Sequence, residues 1–159
     1  MMDVAVRAAA PEDIDAFVDL LAEMKHFYGA QDLGPVDQSR LSIDEALFSD
    51  APSAFALLAW RGPTPVGLAT YSYHWPALGL TRSLYLKELY VSAPARRLGA
   101  GRALMRALFE VASRQGCSRV EWTTDVPNTD AQDFYKRLGA LPDQSKVLYR
   151  VYLDDPTPT

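Results

Sequence analysis

Cysteine and histidine are scarce: Cys117 is the single cysteine, and His26 and His74 are the two histidines. One cysteine excludes an internal disulfide, and with two histidines it cannot assemble a zinc site of the usual Cys/His kind, so no metal site is expected. A reducing, cytoplasmic setting fits this usage. Basic charge is also short. The 16 Lys and Arg residues stand against 20 Asp and Glu, a formal net charge of −4. The chain therefore lacks the basic field that counterion-release binding to nucleic acid demands, and any anion site must be local. Long apolar runs are missing too. Nothing approaches the roughly 20 apolar residues that span a bilayer, and the opening Met1-Met2-Asp3-Val4-Ala5 has no basic region followed by an apolar stretch. Neither secretion nor a membrane partner is expected.

What is present is the mix of a soluble globular protein, 48% hydrophobic and 23% charged over 159 residues. That suits one ordinary core and leaves little room for two. Residues 1–153 read as a single domain, and the polar, proline-broken Asp154-Asp155-Pro156-Thr157-Pro158-Thr159 reads as a frayed tail.

Hydrophobic spacing gives the order of elements. Val4 to Arg7 alternates as a short strand. Pro11-Glu12-Asp13 then puts proline and two acids where a helix's first turn favours them. Ile14, Phe17, Val18, Leu21 and Met24 recur at helical spacing, which predicts a helix to about His26 or Phe27, before Gly29. Ser42 with Glu45 has capping-box spacing for a second helix. Phe55 to Trp60, the turn Gly62-Pro63-Thr64-Pro65, and Val66 to Tyr73 form a hairpin. After a loop at His74 to Gly79, Ser83 to Val91 is a long strand covered on both faces. Gly101 to Gln115 is a helix with one wide apolar face, stopped by Gly116. Val120 to Val126 alternates as a strand, Thr129-Asp130-Ala131-Gln132 offers a capping box for a short helix ending near Leu138, and Lys146 to Leu153 is expected as a last strand. The order β-α-α-β-β-β-α-β-α-β describes a mixed α/β (α+β) domain.

The junction Arg96-Arg97-Leu98-Gly99-Ala100-Gly101 follows a strand and opens a helix. Gly99 and Gly101 allow close backbone approach, the unpaired N–H groups of the helix start form an anion site, and Arg96, Arg97 and Arg102 add positive charge in an acidic chain. A diphosphate would satisfy all of these groups together. There is no Gly-Lys-Ser/Thr ending for a triphosphate loop and no Gly-x-Gly-x-x-Gly run for dinucleotides.

This junction resembles the Arg/Gln-x-x-Gly-x-Gly/Ala signature of the GNAT superfamily of N-acetyltransferases. Asn128-Thr129-Asp130-Ala131-Gln132-Asp133-Phe134-Tyr135-Lys136-Arg137-Leu138-Gly139-Ala140 is similar to that family's second signature, in the right order and at about the right distance. Within the family, Tyr71-Ser72-Tyr73-His74-Trp75 followed by Leu84-Tyr85-Leu86-Lys87-Glu88-Leu89-Tyr90-Val91 looks like the spermidine/spermine and thialysine acetyltransferase branch. One departure stands out: Lys87 replaces the first of two acids, which puts a polycationic acceptor in doubt if Lys87 faces the pocket.

The resemblance implies a strongly twisted central sheet of about six to seven strands with about four helices, and acetyl-CoA as the donor. It implies direct acetyl transfer to a primary amine of a small molecule, with acetylation of a protein N-terminus or lysine as one alternative and a non-catalytic acyl-CoA sensor as another. The diphosphate would lie on Arg96, Arg97, Leu98, Gly99, Ala100, Gly101 and Arg102. The pantetheine arm would run along Leu89, Tyr90 and Val91 and meet Asn128. Tyr135 matches the family's general acid and Glu88 could relay the acceptor's proton through water. Tyr28, Tyr73, Trp75, Lys87 and Glu88 are expected to line the acceptor side, with His26 and His74 as further lining residues. The resemblance also implies a homodimer, for which Tyr149 and Tyr152 offer aromatic surface. Because adjacent helical residues point about 100° apart, Phe134 is expected inward and Tyr135 toward the cofactor. Thr129 can supply the cap of the last helix, which would leave Asn128 to the ligand; capping by Asn128 itself is the alternative.

Overall fold

The computed structural model describes residues 3–29 and 34–154, so residues 30–33 of the expected loop from Gly29 to Arg40 and residues 155–159 of the expected tail lie outside the described residues. The chain falls into two compact units divided between Thr123 and Thr124. In the first, β1 (Val4–Ala8), α1 (Ile14–Phe27), α2 (Val36–Phe48), β2 (Phe55–Arg61), β3 (Thr64–His74), β4 (Arg82–Val91), α3 (Ala100–Arg114) and β5 (Cys117–Glu121) follow in that order. The second unit holds α4 (Thr129–Arg137).

The sheet runs in chain order, β1-β2-β3-β4-β5. The first three pairings are antiparallel, with Val6 opposite Ala59, Leu58 opposite Leu68, and Leu68 opposite Tyr90. β4 and β5 are parallel, with Leu84 opposite Val120. Since side chains alternate across a strand, residues facing each other across the ladder share a sheet face. Leu58, Leu68 and Tyr90 therefore point the same way, and they pack with Phe17, Leu20 and Met24 of α1 and Ile43 of α2. The other face receives Leu104, Met105 and Leu108 of α3, all fully buried. Gly67 marks how closely that helix approaches: a Cβ there would lie 2.9 Å from the Tyr90 carbonyl oxygen and 3.1 Å from Leu104 Cδ1.

The edge of the core is held by charge. Both terminal guanidinium nitrogens of Arg7, Nη1 and Nη2, donate to the buried Asp13 carboxylate at 2.6 and 2.9 Å, and the Ala10 amide donates to it at 2.9 Å. This hydrogen bonding holds the Asp13 carboxyl below its ordinary pKa against the opposing cost of burial. Pro11–Asp13 forms a single 3-10 turn that leads into α1.

Four expectations need correction. The sheet has five strands among the described residues, not six or seven. Lys146 to Leu153 pairs with nothing there, and Tyr149 and Leu153 are 89% and 91% exposed. Val, Leu and Tyr favour strands only where a ladder and a packed face exist to receive them. α2 begins at Val36, behind Pro35, so Ser42 and Glu45 are interior positions rather than a cap; burial of Ile43 decides the helix. β5 starts directly after the left-handed Gly116 and ends at Glu121, because its pairing with β4 covers only Arg82 to Tyr85.

Candidate functional site

In the first unit, β4 is the strand that changes partners. Toward β3 its ladder is continuous except at Lys87: Thr70 faces Glu88 and Tyr71 faces Leu86, so Lys87 is the extra residue of a bulge and its side chain is exposed. Toward β5 the ladder ends at Tyr85, opposite Glu121. Past that point no described strand lies on this edge, and alternate backbone groups from Leu86 to Val91 have no ladder to join.

The chain then enters the loop that precedes α3. Arg97 and Gly99 both have positive φ, 63° and 88°. A Cβ at Gly99 would meet no atom within 4 Å, so backbone angle rather than crowding requires glycine there, and the space beside the loop is open. The helix begins at Ala100 and carries no acidic residue in its first turn. Its leading N–H groups have no intrahelical acceptors, and Arg97 and Arg102 add exposed positive charge. These residues fit a diphosphate.

Arg96 behaves differently from its neighbours. Its Nε donates to the Val91 carbonyl oxygen at 3.1 Å, and its guanidinium lies 4.5 Å from the Phe27 ring centroid and 5.7 Å from that of Tyr90. Phe27 and Tyr90 are themselves 6.3 Å apart. The Ser92 hydroxyl donates to Glu23 Oε2 at 2.7 Å. Burial raises the Tyr90 phenol pKa, and the Glu23 carboxylate adds to the rise while Arg96 opposes it.

The expected acceptor residues separate by sheet face. Glu88 and Tyr90 share the face turned toward α1, and His74 stacks on Tyr85 there, with centroids 4.9 Å apart. Tyr28 is exposed and meets Phe27 edge-on at 5.2 Å. Tyr73 lies on the opposite face, beneath the Arg82 guanidinium at 4.3 Å; burial raises its pKa most, Cys117 adds to the rise, and Arg82 opposes it. Its neighbour Tyr71 is pushed up to about 12, chiefly by burial. Trp75 is 66% exposed, with its indole N–H donating to the Leu80 carbonyl at 3.1 Å. Spacing did not single out Glu23, Phe27 or Ser92. The one available signal was the aromatic doublet Phe27-Tyr28 at a helix end.

In the second unit, Asn128 rather than Thr129 caps α4: its side-chain oxygen accepts from the Ala131 amide at 3.2 Å. Asn outranks Thr as a cap, and an Asn so used keeps both its amide N–H groups for a ligand. The Gln132 side chain donates to the carbonyls of Asp125 and Val126, fixing the turn before the helix. Phe134 and Tyr135 are both half-buried, with centroids 5.3 Å apart, so neither takes a wholly inward position. Among the described residues no group of His, Cys, Asp and Glu could hold a metal, and no helix is long and apolar enough to cross a membrane.

Comparison with known proteins gives this arrangement a context. The acetyltransferase (GNAT) family profile matches residues 16–140. Thialysine N-epsilon-acetyltransferase of Bos taurus is 28% identical over 148 residues, covering 88% of this chain and 85% of the relative. D-amino-acid N-acetyltransferase HPA3 of Saccharomyces cerevisiae is 28% identical over 149 residues, covering 92% and 89%. Among solved structures, an integron cassette protein from the mobile metagenome of V. cholerae superposes with a TM-score of 0.85 at 28% identity, covering 97% of this chain and 95% of that one. An aminoglycoside N-acetyltransferase, AAC(6')-Iy in complex with CoA, shares the fold with a TM-score of 0.77 at 18% identity, covering 96% and 97%.

Proposed function

The chain belongs to the acetyltransferase (GNAT) family, and from that premise we propose direct transfer of an acetyl group from acetyl-CoA to a primary amine of a small molecule. Acetyl-CoA-dependent N-acetyltransfer is the activity of the family and of the relatives with which this chain aligns over most of its length. The observation that carries the reading is the continuity of β4 with the glycine loop. A strand edge that no other described strand covers past Tyr85 runs into a left-handed Gly99 and the uncapped start of α3, as a donor with an amide-bearing arm and a diphosphate requires.

Each residue then has a task. Backbone N–H groups from Leu98 to Arg102, with the charges of Arg97 and Arg102, hold the diphosphate. The outward-facing backbone groups of Leu89 and Val91, on either side of Tyr90, pair with the pantetheine arm, and an N–H near Leu89 or Val91 polarises the thioester carbonyl. Asn128 offers its amide N–H groups to the same arm. An acceptor ammonium with a pKa near 10.4 is mostly charged at neutral pH; Glu88 takes its proton through water so that a neutral amine attacks. The C–N bond forms, the C–S bond breaks, the Tyr135 hydroxyl supplies a proton to the departing thiolate, and the second proton lost by the acceptor nitrogen returns through water to the Tyr135 oxygen. No covalent enzyme intermediate is needed.

The acceptor is a small amine, the class named for the thialysine, D-amino-acid and ornithine relatives. Lys87, exposed at the β4 bulge, would disfavour polycations if its ammonium faces the acceptor pocket. Residues 1–153 are read as one acetyltransferase domain, supported by a family match that runs from residue 16 to residue 140. A single cysteine supports a reducing, cytoplasmic location. The exposed apolar run Val147 to Leu153 supports a homodimer.

The test is acetyl-CoA-dependent thiol release by purified protein against diamines, polyamines, amino acids, aminoglycosides and lysine peptides. Saturable turnover with a small amine is expected. Turnover confined to peptides would transfer the reading to protein acetylation, and acetyl-CoA binding without turnover would favour a sensor.

A further inference from the structure

We infer that Arg96 is a positioning residue that couples the cofactor loop to the last turn of α1, rather than a ligand of the diphosphate. The inference rests on the acetyl-CoA reading above only for its consequence in the bound state. Among the loop arginines, Arg96 is the one already committed. Its Nε donates to Val91 O and its guanidinium covers the faces of Phe27 and Tyr90. That geometry spends Nε and the ring-facing side of the guanidinium on Val91, Phe27 and Tyr90, holds the group at the α1 end of the loop and leaves only its Nη hydrogens to meet an anion.

Two further contacts join the same segments. Glu23, one turn before Phe27, accepts from Ser92 at the end of β4, and Phe27 packs against Tyr90 as well as Tyr28. Residues 90–96 and 23–28 are thus tied by a hydrogen bond between side chains, a cation on two rings and a ring contact. The planar guanidinium is what joins them: it stacks and donates at once, which an ammonium cannot do. A ligand that fixes the conformation of residues 96–101 must then also bias Tyr28, an acceptor-side residue, although Arg96 touches neither substrate. By linkage the bias is reciprocal.

Hydrogen exchange on the full chain, with and without CoA, tests this in the wild type and in Arg96→Ala, Arg96→Lys and Arg97→Ala, alongside calorimetric CoA affinity at two salt concentrations. In the wild type, CoA should slow exchange at residues 24–28 as well as in the loop. In Arg96→Ala the loop should still be protected and α1 should not, with CoA affinity within about twofold, under 0.5 kcal/mol, of the wild type. Arg96→Lys should restore part of the protection. Arg97→Ala should lose about tenfold in CoA affinity, the worth of one charge-assisted hydrogen bond, and show a weaker salt dependence while α1 remains coupled.

A tenfold loss of affinity with reduced salt dependence in Arg96→Ala, or CoA-induced protection of α1 that survives in it, would overturn the inference. So would a wild type that binds CoA with no change at residues 24–28. If the wild type bound no CoA, the functional reading would fail instead. The contact itself would then be judged by ligand-free exchange, which must be faster at residues 24–28 in Arg96→Ala. Should Arg96→Ala fail to fold, Arg96→Gln, which carries no cation to lay on the rings, takes its place with the same expected loss of α1 protection.

Discussion

Tyr135 and Asp13 show how differently two single side chains carry weight. Tyr135 is proposed to give up a proton in the transition state, so Tyr135→Phe removes the O–H and keeps the ring that packs on Phe134. Its kcat should fall roughly 100-fold, the lower range of general acid catalysis, while CoA affinity and thermal midpoint stay near the wild type. Steady-state kinetics with the best acceptor of the panel, and calorimetry with CoA, check both halves. Asp13 instead carries stability. Its folded pKa lies below its unfolded value of about 3.9 because Arg7 and the Ala10 amide bond to the charged form. The pair's contribution is therefore complete above that unfolded value and is lost as the pH falls through the depressed folded value. Asp13→Asn should cost about 1–3 kcal/mol at neutral pH and flatten the acid limb of the stability curve. Urea melts of both proteins from pH 7 to pH 3 measure this, and parallel acid limbs would show that Asp13 is not the titrating group. Neither bond was legible in the sequence beyond Asp13's place in a first turn. In the same way Asn128 and Thr129 are both plausible caps by spacing, and only backbone geometry selects Asn128.

At the scale of elements, legibility followed burial pattern. α1 and α3 were readable because each presents a sustained apolar face and ends at a left-handed glycine, Gly29 or Gly116. β2, β3 and β4 were readable because alternation and the Gly62 turn agree. α2 and β5 were misplaced for the opposite reason: their bounds depend on partners distant in sequence, the core that receives Ile43 and the short register with β4. The bulge at Lys87 was invisible, since nothing in the composition of a strand marks the residue its partner skips. Gly67 likewise gives no signal of its own, yet it sets the distance between β3, β4 and α3. A methyl group in Gly67→Ala would press on the Tyr90 carbonyl, which is backbone and has little room to yield. The variant should lose about 1–3 kcal/mol. Because the displaced carbonyl belongs to the strand proposed to hold the pantetheine arm, the KM for acetyl-CoA should also rise. Denaturant melts and acetyl-CoA titrations distinguish this from simple destabilisation, which would leave KM unchanged.

For the whole molecule, the two signature segments identified the family before any geometry was available, because the diphosphate loop needs glycine at a fixed place before a helix. What the sequence did not reveal is where its last apolar run goes. Val147, Leu148, Tyr149, Val151, Tyr152 and Leu153 are all exposed, an arrangement that a lone soluble chain seldom keeps. Fully burying side chains of this kind contributes about 1.5–3 kcal/mol each, so even partial cover of six of them by a second copy offsets a substantial cost of association. β-prone residues with no ladder among the described residues are also suited to pairing across an interface. Sedimentation velocity at micromolar concentration should therefore show a dimer for the full chain and a monomer for a chain truncated after Ser145. The truncated protein should retain CoA binding, because none of the proposed donor-binding residues lies beyond Tyr135. A full-length monomer would remove the homodimer, and a truncated dimer would move the interface away from this segment.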